Sequence, residues 1–105
     1  MALKKLIGMR IKELRNKCGL TQSELAEMVG IDPKHQSCVE NGRNFPSADL
    51  LEKYAQAMNI DISILFNIHH IKERNVLIKE INDLISNASN EEIKIIHKII
   101  FDLLM

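Results

Sequence analysis

The stretch that most constrains this chain is residues 21–42, TQSELAEMVGIDPKHQSCVENG. It predicts a short helix from about Thr21 to Val29, a tight turn, and a second short helix from about Pro33 to Asn41. Gly30 permits a positive φ that other residues adopt only at a cost. Ile31 gives the turn an apolar plug. Asp32 can cap the second helix with its carboxylate, and Pro33 falls at the first helical position, where no N–H is needed. A helix as short and polar as the second buries little by itself, which suits a helix whose outer face reads a partner.

Helical spacing turns Val39 inward, with Gln36 one turn before it, and leaves Lys34, His35, Ser37 and Cys38 largely outward. Lys34 can donate to guanine O6 or N7 in a major groove, Ser37 can serve either base, and His35 can donate to a base or a phosphate. In the first helix Leu25, Ala26 and Val29 share the inner face. Gln22 and Ser23 sit at its N-terminus, where free N–H groups and the positive dipole end favour an anion such as a backbone phosphate. The unit reads as a helix-turn-helix.

The flanking segments supply the apolar surface. A helix is expected over about Leu3 to Lys17, with Leu3, Ile7, Ile11, Leu14 and Cys18 as its buried stripe. Gly19 ends it. After a loop at 42–46, in which Phe45 is expected to anchor against the bundle, Ser47 caps a fourth helix. Leu50, Leu51, Tyr54, Ala55 and Met58 repeat along it, and Asn59 closes it. Asp61 caps a short fifth helix holding Ile62, Leu65 and Phe66.

Net charge is informative only when divided. The formal total is zero, with 14 basic and 14 acidic residues. Residues 1–17 hold six basic residues against Glu13 alone, whereas residues 18–66 hold three against seven acids. Such a chain is no generic polycation, so nucleic-acid contacts must come from a few placed residues. In the Leu3–Lys17 helix Arg10 or Lys12 can reach a phosphate, while Lys4 and Lys5 read as solvated surface.

Together these residues resemble the Cro/CI-type (XRE-like) helix-turn-helix domain of phage repressors and bacterial regulators. The resemblance runs over residues 7–66. It is carried by Ile11, Leu14 and Arg15, GLTQSELA at 19–26, Gly30 and Ile31, VENG at 39–42, Pro46-Ser47, and LLEKYAQAMNI at 50–60. It implies an all-α fold, a five-helix lambda-repressor-like DNA-binding domain over 1–66. Its third helix would enter the major groove of double-stranded DNA. It further implies that Gln22 contacts a phosphate and braces the recognition helix. Pro33, Lys34, Ser37 and Cys38 would face base edges, Asn41 and Arg43 would contact the backbone, and Arg15 and Glu40 would form a partly buried ion pair. Two positions depart from the family. Gln36 stands where an apolar residue is usual, so either it is anchored internally or the helix turns it towards DNA. Pro33 stands where a polar base reader is common and cannot donate a hydrogen bond.

From about residue 67 the composition changes, and 67–105 reads as a helical hairpin. One long helix is expected from Ile68 or His69 to Ser86, with Ile71, Ile78, Ile81 and Ile85 on a stripe. SNASN at 86–90 breaks it, and Ser89 with Glu92 forms a capping box. The last helix carries Ile93, Ile96, Ile100 and Leu103 on one stripe. Two helices cannot hide this much apolar surface between themselves, so the hairpin is expected either to pack on the DNA-binding domain or, the preferred reading, to form a homodimer interface. A dimer suits a palindromic operator.

Other chemistries find little support. There is no Walker loop, dinucleotide fingerprint or serine elbow, so no enzyme is expected. His69 and His70 are adjacent and diverge by about 100° on a helix, and His35 with Cys38 lacks further ligands, so no metal or cofactor is expected. Cys18 and Cys38 are expected as free thiols. No apolar run is long enough to span a membrane and no signal-peptide core is present, which points to the cytoplasm. The leading expectation is a dimeric transcriptional repressor. The alternatives are an antitoxin that controls its own operon, and a protein-interaction module that has lost DNA binding.

Overall fold

The computed structural model describes residues 2–105, and those residues contain helices but no strand. The helices are α1 (Leu3–Lys17), α2 (Gln22–Val29), α3 (Pro33–Glu40), α4 (Ala48–Ala57), α5 (Arg74–Ser86) and α6 (Asn90–Leu104). A 3-10 turn at Ile62–Phe66 lies between α4 and α5. The chain divides into two compact units, one ending at Ile71 and one running from Lys72 to Met105.

Local chemistry sets the helix starts of the first unit. Thr21 caps α2 through a reciprocal box with Glu24: its hydroxyl accepts from the Glu24 N–H, and the Glu24 carboxylate accepts from the Thr21 N–H. Asp32 accepts from the His35 N–H at 2.8 Å, and Ser47 from the Leu50 N–H at 3.1 Å. Gly30 closes α2 at φ 81, the left-handed conformation its lack of Cβ allows.

The core joins Ile7, Ile11 and Leu14 of α1 to Leu25 and Val29 of α2, Val39 of α3, and Leu50, Leu51, Tyr54 and Ala55 of α4. Leu65 and Met58 complete it, and Ile31 packs against it from the turn. Fully burying each such Ile, Leu, Val or Met side chain contributes about 1.5–3 kcal/mol. Helix α1 crosses α3 closely because Gly8 has no side chain. A Cβ at that position would collide with the carbonyl oxygens of Val39 and Glu40.

Four expectations are corrected. The α1 stripe is buried only in its middle, since Leu3 and Cys18 are exposed. The short fifth helix forms where expected, over Ile62–Phe66 with Asp61 accepting from the Ser63 N–H, but it is a 3-10 helix, and of Ile62, Leu65 and Phe66 only Leu65 is buried. The loop anchor is Pro46, which is buried, whereas Phe45 is 46% exposed. The long helix begins at Arg74 rather than at Ile68 or His69. Ile68 packs against the core and Ile71 is buried, so this stretch stays with the first unit. His70 adds to this attachment, with its Nε2 2.8 Å from the Glu13 carboxylate. Ile71 therefore leaves the expected dimerisation stripe.

In the second unit α5 and α6 are joined through Asn87 and Ala88, with Ser89 and Glu92 forming the expected box at the start of α6. No residue of either helix is buried among the described residues. Ile78, Ile81, Ile93 and Ile100 are each at least 38% exposed, Leu103 is 78% exposed, and Ile85 and Ile96 are half-buried. No helix among the described residues is long and apolar enough to cross a membrane.

Candidate nucleic-acid interface

Helix α3 is fixed by a buried polar network centred on Glu40. Arg15 grips that carboxylate with two donors, Nε to Oε2 at 2.8 Å and Nη2 to Oε1 at 3.0 Å. Its third nitrogen, Nη1, donates to the Leu20 carbonyl at 2.8 Å. Gln36 donates to Glu40 Oε2 at 2.7 Å, and Gln22 to Oε1 at 3.2 Å. The Tyr54 hydroxyl donates to Gln36 Oε1 at 2.6 Å. Together, α1, α2, α3 and α4 meet through one carboxylate and its neighbours. No buried side-chain polar atom among the described residues lacks a partner.

The electrostatics follow from this packing. Burial pushes the Glu40 carboxyl up, but hydrogen bonds from Arg15, Gln36 and Gln22 outweigh it and hold the group below its ordinary value. Burial pushes the Tyr54 hydroxyl upward, and the Glu40 charge adds to that. The phenol therefore remains a donor.

The two possibilities for Gln36 are now resolved: it is fully buried and anchored internally. With Gln36, Val39 and Glu40 turned inward, the outer face of α3 is fixed by a helix's period of about 100° per residue. Lys34 and Asn41 are exposed on that face, with Ser37 and Cys38 half-buried beside them. Asn41 donates to the Ser37 hydroxyl at 3.3 Å. Pro33 and His35 are exposed at its flanks, and Arg43 is exposed just past the helix. Ser23 is exposed at the start of α2 and Gln22 is half-buried beside it. The Gln22 amide links α2 to α3 through Glu40.

Three features escaped sequence reading. The Thr21–Glu24 box was visible as T-x-x-E. The close approach at Gly8 and the bond from Tyr54 to Gln36 carry no local signal. Arg10, expected as a phosphate candidate, is instead buried: it donates to the Ile64 carbonyl at 3.0 Å and to Glu13 at 3.3 Å. Cys18 and Cys38 are unpaired thiols.

A capped helix-turn-helix, braced from beneath and polar on its outer face, defines a DNA-binding regulator domain. Residues 11–65 match the helix-turn-helix family, and the chain belongs to that family in its XRE-like form. It is 32% identical over 89 residues to the HTH-type transcriptional regulator ImmR of Bacillus subtilis strain 168, covering 82% of this chain and 70% of that protein. Among solved structures it resembles the biofilm master regulator SinR in complex with DNA. That match is 34% identical with a TM-score of 0.55, and it covers 58% of this chain and 98% of the other. A chain of the SinR/SinI complex matches over more of the length, 88% of this chain and 91% of that one, at 28% identity and a TM-score of 0.58.

Proposed function

We propose that this protein is a transcriptional repressor that binds a palindromic operator as a homodimer, with α3 in the major groove. The observation that carries this reading is the division of α3. Its inner residues are locked to Arg15, Gln22 and Tyr54, and its outer residues, led by Lys34, are held out on a fixed frame. Such a frame favours recognition because base contacts need donors held at defined positions.

In this reading Lys34 and Ser37 address base edges, with Cys38 beside them. Pro33 offers no donor and contributes shape. The α2 N-terminus with Gln22 and Ser23, the His35 ring, Asn41 and Arg43 contact backbone phosphates and set the register. The solved SinR–DNA complex supports the DNA assignment. The exposed isoleucines of α5 and α6 support a second copy as the partner of those helices.

Selection of bound sequences from a random DNA pool tests the reading. A palindromic consensus is expected, with binding that weakens steeply as salt rises. Lys34→Ala and Arg43→Ala should each weaken it. An unchanged affinity in both variants would remove this surface from the proposal.

A further inference from the structure

The basic excess of residues 1–17 is smaller than it looks, because Arg10 and Arg15 are engaged inside the bundle. The exposed cations there are Lys4, Lys5, Lys12 and Lys17. Lys5, Gly8, Lys12 and Arg15 follow one another in steps of three and four residues, which places them in one row along α1. That row faces α3: Gly8 lies against the Val39 and Glu40 carbonyls, and Arg15 grips Glu40. Its first member, Lys5, abuts the segment leaving α3. A Cβ on Gly42 would stand 2.7 Å from Lys5 Cα and 3.0 Å from Lys5 Cβ. Arg43 is the next residue. Lys5 and Arg43 thus rise from adjoining backbone at the C-terminal end of the recognition helix, both exposed. Neither takes part in an ion pair among the described residues.

The geometry points to Lys5 and Arg43 as one clamp for a DNA backbone phosphate beside the C-terminal end of α3. The inference rests on the reading that α3 lies in the major groove, and it assigns a contact to a residue that sequence reading left as solvated surface. Two exposed cations on adjoining backbone put two donors within reach of one anion, and a phosphodiester supplies that anion where the groove wall would pass. The contact carries no base information and fixes register only.

The test uses the full chain with Lys5→Ala, and with Lys17→Ala as a control that removes the same charge about 120° around α1. Lys5→Gln is a third variant that keeps the Cβ and Cγ methylenes and a polar end while removing the charge, so a loss common to both variants follows the charge. Binding is measured against salt on the selected operator and on unrelated DNA. Both Lys5 variants should flatten the log–log salt slope by about 0.9, so the wild-type advantage shrinks roughly 3.5-fold between 50 and 200 mM salt. The loss should be alike on both DNAs, and Lys17→Ala should leave the slope unchanged. Equal effects of Lys5 and Lys17 substitutions would show a general charge effect and overturn the clamp. So would a wild-type slope in the Lys5 variants, or a change in base preference without a change in slope. A wild-type chain with no salt-dependent binding would overturn the major-groove reading along with it.

Discussion

Gln36 Nε2 lies 2.7 Å from the same Glu40 oxygen that accepts from Arg15 Nε. A polar residue at an inward position of α3 is thereby a structural member of the bundle. Its amide donates to the carboxylate and its carbonyl accepts from Tyr54. Gln36→Leu should lower stability by about 1–3 kcal/mol in urea unfolding, because the Tyr54 hydroxyl is left buried without an acceptor. Adding Tyr54→Phe should recover part of that loss. A double variant less stable than Gln36→Leu by the full cost of Tyr54→Phe alone would show that the two side chains are not coupled.

Arg15 and Glu40 form a buried pair in which breaking one side is expected to cost more than replacing both. Arg15→Met should destabilise by about 3–5 kcal/mol, since it leaves a buried carboxylate without its cation. Arg15→Met with Glu40→Leu should be milder than the single change. Thermal unfolding of the two variants checks the order, and the reverse order would mean that Gln36 and Gln22 satisfy the Glu40 carboxylate without its cation.

Stability should fall at both ends of the pH scale for different reasons. The folded Glu40 carboxyl lies below its ordinary value of 4.5, so in acid the unfolded chain takes up the proton first. Its contribution is fully present above that value and is lost as pH falls through it towards the folded pKa. The Glu13 carboxyl acts in the same direction, because hydrogen bonds from His70 and Arg10 outweigh its burial. Tyr54 behaves oppositely. Its folded pKa is raised, so stability is present below its ordinary value of 10.0 and declines as pH rises through it. Urea midpoints across pH check this, and Tyr54→Phe should flatten the alkaline limb alone.

The parts of this fold that were legible in the sequence are those set by local chemistry. Asp32, Pro33 and Ser47 mark helix starts through bonds to residues a few positions on, and Gly30 marks a turn that needs a positive φ. The helix-turn-helix and the outward placement of Lys34 followed from those signals. What was not legible depends on residues far apart in the chain. That Pro46 is buried while Phe45 stays exposed has no local signal. Ile71 fits a helical stripe with Ile78, yet it is buried in the first unit, so periodicity assigned it to the wrong element. Arg10 looked like a phosphate ligand because nothing nearby in sequence reveals the Ile64 carbonyl it caps.

Gly8 offers a direct check on the α1–α3 contact. By propensity alone Gly8→Ala should stabilise a helix interior by about 1 kcal/mol. Here the added methyl meets the backbone carbonyls of Val39 and Glu40, which no side-chain rotation can move aside. A net loss of stability is expected, and it should be accompanied by weaker DNA binding as α3 shifts. A raised melting temperature with unchanged binding would show that the two helices have room to separate.

The proposed dimer makes opposite demands on two isoleucines from the stripes of the second half. Ile100 is 41% exposed on α6, a helix with no buried residue among those described, whereas Ile71 is buried in the first unit. Ile100→Glu should therefore leave the unfolding of the first unit unchanged while shifting the mass in light scattering from dimer to monomer. Ile71→Glu should lower the melting temperature without abolishing the dimer. On DNA the monomeric variant should lose at least tenfold in affinity for an operator with two half-sites, which corresponds to about 1.4 kcal/mol of coupling. It should retain its affinity for a single half-site. A full chain that remains monomeric at micromolar concentration, or an Ile100→Glu variant that remains dimeric, would place the partner of α5 and α6 elsewhere.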